Sequence, residues 1–386
     1  MKLLMISGDR SVLSGKRGAF AQMLEEFSKH WERIDVICPR SANPHPNPLS
    51  SEEERGRFFA NVFFHPSPYS LWKQSSWIVQ KGKELIAQHH HGVMTVHEYP
   101  PFYNGMGACH LHQATGVPYV LEVHHIVGWP RAASVTEWLG RIASHWQIPK
   151  SAYHAAAVRV VNLTVMNELV KWKIPENKIK IVPSFYLDAS VYHPDPSATS
   201  KYDVIFCGRL VSNKGIREVL QAMVKLPEVT LLVIGDGPER AGAEAFVRRH
   251  GLADQVTFAG WLRSEQDVAN AMRSGKIFVM NSKSEGGPRV ALEAMACGLA
   301  VIATKVGAMP DVIKDGENGV LTTGYPEDLA KKIALLVGDE AKRRQLGKEA
   351  AKITEKFERK RLIREYAEFL VSCSGASSHS DTGRRS

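Results

Sequence analysis

No stretch of this chain approaches the roughly 18 uninterrupted apolar residues that a bilayer-spanning helix needs, and the opening MKLLMISGDRS has too short an apolar run for a secretory leader. The expectation is a chain that stays in the cytoplasm. Cysteine is scarce: Cys38, Cys109, Cys207, Cys297 and Cys373 are odd in number, scattered and without CxxC spacing. That excludes a disulfide framework and a thiolate metal site, and predicts reduced core thiols. A concentrated basic stripe with interleaved aromatics is also missing, so the net charge of +9 does not read as a nucleic-acid surface, and no nucleic-acid partner is expected. The excess leans N-terminal, with 20 Lys/Arg against 14 Asp/Glu up to residue 185 and 29 against 26 beyond it. Phosphate on a small molecule or a lipid fits that charge better. A full dinucleotide fingerprint is lacking too, since Gly235 and Gly237 of GDGPER are followed by Pro238 and no third glycine. His89, His90 and His91 are consecutive rather than at ligand spacing and are set aside as a metal motif.

What is present is enough for a large core. With 386 residues, 44% hydrophobic and 23% charged, the chain exceeds the roughly 250 to 300 residues at which one core stops growing, so at least two domains are expected. The runs KLLMIS, RIDVICP, GVMTVH, PYVLEVHH and AAVRVVNLT alternate with helical segments, the first carrying Phe20, Met23, Leu24 and Phe27. This alternation indicates a parallel sheet covered on both faces. Residues 178–196 lose periodicity, gain proline and read as a linker. The alternation then restarts with YDVIFCG, VTLLVIG, QVTFAG, KIFVMNS and LAVIATKVG. The expected division is an N-terminal domain over 1–190, a second over 200–355, a helix at 357–372 packing back on the first, and a disordered tail over 373–386.

The most specific segment is SEGGPRVALEAMACG, Ser284 to Gly298. A strand ending near Asn281 runs into Gly286, Gly287 and Pro288 and then a helix, whose N-terminal N–H groups and dipole suit a diphosphate, with the glycines allowing close approach. Pro288 brings no N–H of its own. Glu285 precedes the loop and Glu293 lies within the helix, about two turns on. One carboxylate is placed to face a sugar and the other a ribose; as isolated residues they read equally as a capping acid and a solvent-facing helical Glu.

This segment resembles the signature of the family-four retaining glycosyltransferases of GT-B fold, also called glycosyl transferases group 1. GRLVSNKGI, VIGDGPER, VTFAGWL, VGAMPDVIKDGENGVL and KIKIVPS look like further blocks of that family in the family order. The resemblance implies two Rossmann-like α/β domains with parallel sheets facing a central cleft, the C-terminal one binding a nucleotide sugar. It implies that Arg209 and Lys214 neutralise the departing diphosphate, that Glu285 and His124 orient the sugar, and that Glu293 holds the ribose. His125 is the neighbouring competitor of His124 for the cleft. Gly15 and Gly18 correspond to the family's glycine pair beneath the donor, here separated by Lys16 and Arg17.

The activity so implied is transfer of a hexosyl group from a nucleoside-diphosphate sugar to an acceptor hydroxyl, with retention, in cell-surface polysaccharide or glycolipid assembly. No cofactor and no essential metal are expected, there being no Asp-x-Asp in the signature block. The acceptor is a glycan or a lipid-linked sugar. The aromatic stretch 58–79 reads first as ordinary core and loop, with a peripheral contact at the inner face of the membrane as the alternative. The rivals are a catalytically silent sugar-nucleotide-binding subunit and a nucleotide-sugar epimerase of the same fold.

Overall fold

The computed structural model describes residues 1–9, 11–14, 19–40, 60–132, 134–285, 287 and 289–374. In the first half the chain forms β1 (Lys2–Ile6), α1 (Ala19–Phe27), β2 (Arg33–Cys38), β3 (Val62–Pro66), α2 (Gln74–His89), β4 (Val93–His97), α3 (Tyr103–Thr115), β5 (Tyr119–Val123), α4 (Val135–His154), β6 (Ala157–Val160), α5 (Leu163–Lys171) and β7 (Ile179–Ile181). The strands pair in parallel in the order β3-β2-β1-β4-β5-β6-β7.

The second half repeats the plan with β8 (Tyr202–Cys207), α6 (Ile216–Met223), β9 (Leu231–Ile234), α7 (Arg240–Arg249), β10 (Val256–Gly260), α8 (Glu265–Arg273), β11 (Gly275–Met280), α9 (Arg289–Ala296), β12 (Ala300–Thr304), α10 (Met309–Val312), β13 (Val320–Thr322), α11 (Pro326–Gly338), α12 (Glu340–Ala351), α13 (Ile353–Lys356) and α14 (Arg359–Ser372). Its parallel order is β10-β9-β8-β11-β12-β13.

Central strands are apolar because helices cover both faces. Leu3 to Ile6 are fully buried, each stabilising the fold by roughly 2 kcal/mol relative to exposure. Helix starts are set by short polar caps: Ser134 accepts from Glu137 N, Asn162 from Val165 N, and Ser264 from Asp267 N, each worth about 1 kcal/mol. Within 178–196, read as linker, Ile179–Ile181 is instead an edge strand on β6. Further on, Leu187 N donates to the Phe357 carbonyl at 2.8 Å and Arg359 N to the Leu187 carbonyl at 3.2 Å, so the two crossings of the chain between domains are tied together. Helix α14 then packs on α1, with Tyr366 stacked on Phe27 at 4.9 Å between ring centroids. Among the described residues no helix is long and apolar enough to cross a membrane.

Candidate functional site

Strand order reverses once in each sheet, between β1 and β4 and between β8 and β11. Loops leaving such a pair of strands diverge and open a crevice at their C-terminal ends, where ligands of parallel α/β sheets bind. In the C-terminal domain these are the loops that carry Arg209 and Lys214, after β8, and Glu285, after β11.

The loop after β8 is laid on a glycine floor. A Cβ on Gly235 would lie 2.0 Å from the Gly208 carbonyl oxygen, and one on Gly237 would lie 2.5 Å from that of Leu210. Leu210 N donates to the Asp236 carbonyl and Glu239 N to the Leu210 carbonyl, both at 2.9 Å. The GDG turn therefore supports the Arg209 loop through backbone contact that any side chain would prevent. Arg209 itself is exposed.

Lys214 and Glu285 meet directly as an ion pair, both mostly buried. Ser282 Oγ donates to the same Glu285 oxygen at 2.9 Å. Asn213 ties the loops together, its Nδ2 donating to the Ser284 carbonyl at 3.0 Å and its carbonyl accepting from Lys283 N at 2.8 Å. Gly215 follows with φ of 70° and would place a Cβ 2.3 Å from the Asn281 carbonyl oxygen, so only glycine fits there.

Glu293, expected to hold the ribose, is buried, and its Oε1 pairs with Arg289 Nε at 2.7 Å, one turn earlier on α9. Arg289 also pairs with Glu265 and donates to Gln22 of α1 at 3.3 Å, bridging the domains. Burial raises the Glu293 pKa, against the pull of Arg289. Gly287 departs as well: the place of its side chain is filled by the Phe185 ring, 1.9 Å from an ideal Cβ. Its glycine identity answers to that packing, so close approach of a diphosphate is not what requires it on this side. Gly15, Gly18, Gly286 and Pro288 lie outside the described residues.

Across the crevice, the expected contest between His124 and His125 ends with the two in separate environments. His124 Nε2 bonds Glu122 at 2.9 Å, and its ring lies 5.2 Å from that of His97. Burial pushes its pKa down to about 4, against the carboxylate. His125, one residue further from the strand end, keeps an exposed surface; desolvation lowers its pKa, against the charges of Glu285 and Glu137.

Sequence reading missed the group that holds His124. Glu122 is buried in β5 and accepts from Arg159 Nη1 at 2.5 Å, from the Tyr366 hydroxyl at 2.5 Å and from Thr95. His97 Nε2 lies 3.4 Å away, and its Nδ1 meets Ser7 Oγ at 3.1 Å, joining the ends of β1 and β4. Burial alone would raise the Glu122 pKa; Arg159 first, then the two histidines, hold it well below the usual carboxylate range. The only signal in the sequence was a polar residue inside an otherwise apolar strand.

His97, Glu122 and His124 offer ligand atoms within 4.8 Å of one another, the one such cluster among the described residues. The carboxylate, however, is already matched by the fixed charge of Arg159 and by two hydroxyls, so the set fits the positioning of imidazoles better than a resident cation. Of the consecutive histidines set aside earlier, His91 is buried, its Nε2 2.8 Å from Asp35.

The profile described as Glycosyl transferases group 1 matches residues 193–353, and that of the Glycosyl transferase 4-like domain matches residues 15–184. A sulfoquinovosyl transferase of Arabidopsis thaliana is 28% identical over 279 residues, 68% of this chain and 53% of that protein, so the chain spans about half the length of this relative. Among solved structures, sucrose-phosphate synthase of Thermosynechococcus elongatus superposes with a TM-score of 0.78 at 19% identity, covering 98% of this chain and 100% of the other. Anabaena HepE, solved in complex with UDP-glucose, gives 0.73 at 20% identity, covering 96% and 100%. At these identities the structural likeness bears on the fold, which is that of GT-B enzymes.

Proposed function

Because the chain belongs to the glycosyl transferases of group 1, we propose that it moves a hexosyl group from a nucleoside-diphosphate sugar to an acceptor hydroxyl with retention, serving the assembly of a cell-surface polysaccharide or glycolipid. The observation that carries this is the meeting of Lys214 and Glu285 at the reversal of strand order, on the two loops where a diphosphate and its sugar would lie side by side.

In the proposed reaction the bond from the anomeric carbon to the diphosphate oxygen breaks, and the electron pair leaves with the diphosphate. Arg209 and Lys214 stabilise the charge that develops there. The acceptor oxygen bonds the anomeric carbon on the same face, and its proton passes to the departing phosphate oxygen. Glu285, held by Ser282, orients the sugar hydroxyls. His125 and the Glu122-anchored His124 line the opposing wall, and Glu293, held by Arg289 and Tyr192, accepts from the ribose. HepE was solved with UDP-glucose, which makes uridine the first donor base to try.

The test is a thermal-shift panel of UDP, GDP, ADP and their sugars, since a ligand that binds only the folded state raises the melting temperature, followed by an assay for transfer or slow donor hydrolysis. Stabilisation by a nucleotide with its sugar turned over is the expected result. Tight binding with no hydrolysis and no transfer to any acceptor offered would favour a silent binding subunit.

A further inference from the structure

Helix α4 is built inside out. At about 100° per residue, Val135, Leu139, Ile142, Trp146 and Tyr153 fall along one line, with Trp138 widening it. All six are exposed, Trp146 to 67% and Tyr153 to 77%. The side turned to the sheet instead carries Ser144, Ile148, Ser151 and Ala152. A helix on a soluble domain directs its apolar stripe inward, and a contiguous exposed one marks an interaction surface.

Two observations select the occupant. The stripe, from Trp138 round to Lys150, covers roughly 120° of the helix, wider than a coiled-coil seam, and Pro149 occupies a seam position, so a second copy zipped along α4 is disfavoured. The flank is basic: between residues 143 and 180 the chain carries Lys150, Lys171, Lys173, Lys178 and Lys180 against Glu168 and Glu176, apart from the buried Arg159. Lys178 Nζ donates to the Tyr153 carbonyl at 2.7 Å, and Trp172 packs edge-on against His145 at 5.0 Å, which brings Lys171 and Lys173 alongside the helix. Tryptophan and tyrosine favour the boundary between water and acyl chains, and lysines beside them reach anionic headgroups. We propose that α4 lies in the plane of an anionic lipid surface, seated by this stripe and flanked by these lysines. The aromatic stretch 58–79 is not the main seat. Phe58 and Phe59 lie outside the described residues; of the rest, Phe63 and Phe64 are half-buried in β3, Trp77 packs on the core, and Tyr69, Leu71 and Trp72 are the large apolar side chains exposed among the described residues there.

The experiment is co-sedimentation of the full chain with vesicles of phosphatidylcholine alone and of phosphatidylcholine mixed with phosphatidylglycerol. Binding is expected to the mixed vesicles, weakened by salt, and absent from the neutral ones. The double variant Leu139→Asp, Trp146→Asp is expected to lower the bound fraction by about tenfold or more, and Lys150→Glu to lower it less. Quenching of wild-type tryptophan emission by brominated lipid reads the same contact without any variant. No binding to anionic vesicles, or equal binding by the double variant, overturns the proposal. So does a dimer in sedimentation velocity that the double variant dissociates, since a second copy would then cover the stripe.

Discussion

Lys214 and Glu285, 71 positions apart, form an ion pair at the point where the strand order of the C-terminal sheet reverses. Each cancels the other's charge, so an arriving diphosphate must draw on Lys214 while Glu285 keeps its second anchor in Ser282. On the proposed chemistry, Lys214→Ala or Arg209→Ala lowers turnover on the order of 100-fold, the scale for losing one preorganised charge stabiliser. Circular dichroism should remain native. Wild-type turnover in both folded variants would sink the diphosphate site.

The two glutamates of the signature should separate in calorimetry. Glu285→Gln is expected to spare affinity for free nucleotide while slowing transfer. Glu293→Gln is expected to weaken nucleotide and nucleotide sugar alike by about tenfold, as a charged hydrogen bond is worth roughly 1.5 to 3 kcal/mol. Because Glu293 is buried against Arg289, its variant should also lose on the order of 1 kcal/mol of stability in denaturant. Equal nucleotide affinities in the two variants would contradict this division.

Gly287→Ala is expected to destabilise the protein by about 1 to 3 kcal/mol, the range for overpacking, because Phe185 stands where the methyl group would go. Adding Phe185→Leu should restore part of the loss. Full stability of the single variant in a thermal melt would show that the loop and Phe185 are not in this contact.

Glu98, just past the end of β4, gives a pH signature. Gly105 N donates to its Oε1 at 3.3 Å, and burial, opposed by hydrogen bonds from Ser151 and from the backbone of Gly105 and Tyr99, pushes its pKa up to about 8 from an ordinary 4.5. Folding therefore takes up a proton between those values, and stability falls as pH rises through that window. The melting temperature of Glu98→Gln relative to wild type should grow from pH 4.5 to about 8 and then level off; a constant difference would mean that Glu98 does not titrate there.

Initial transfer rates are expected to be unchanged by a chelator. A loss restored by magnesium or manganese would reassign the charge stabilisation from Arg209 and Lys214 to a metal ion.

Central strands were legible because covering on both faces writes them as apolar runs, as in KLLMI and VIFC. β10, an edge strand of five residues, was read as QVTFAG, whereas the edge strands β7 and β13 are only three residues long and escaped with β3; in Ile179–Ile181 two of three residues are exposed. Arg209, Lys214 and Glu285 could be read because each follows a strand in the chain. Glu122 could not, since its partners Arg159 and Tyr366 stand 37 and 244 positions away and meet it only in space. Helix α4 was not singled out in the sequence, because helical period shows a stripe without showing which way it faces.

Tyr366 belongs to α14, which follows the whole second domain, yet its hydroxyl completes the buried cluster around Glu122 in the first domain. During synthesis the first sheet must wait for α14, with Glu122 and Arg159 facing each other in a half-built interior while the whole second domain is being made. A ribosome stalled anywhere before Arg359, or a premature stop there, would release a chain whose missing helix belongs to the domain made first. The harm of a late truncation should then register as exposure near the amino terminus, where proteases and chaperones would find Phe27 and Trp31 uncovered.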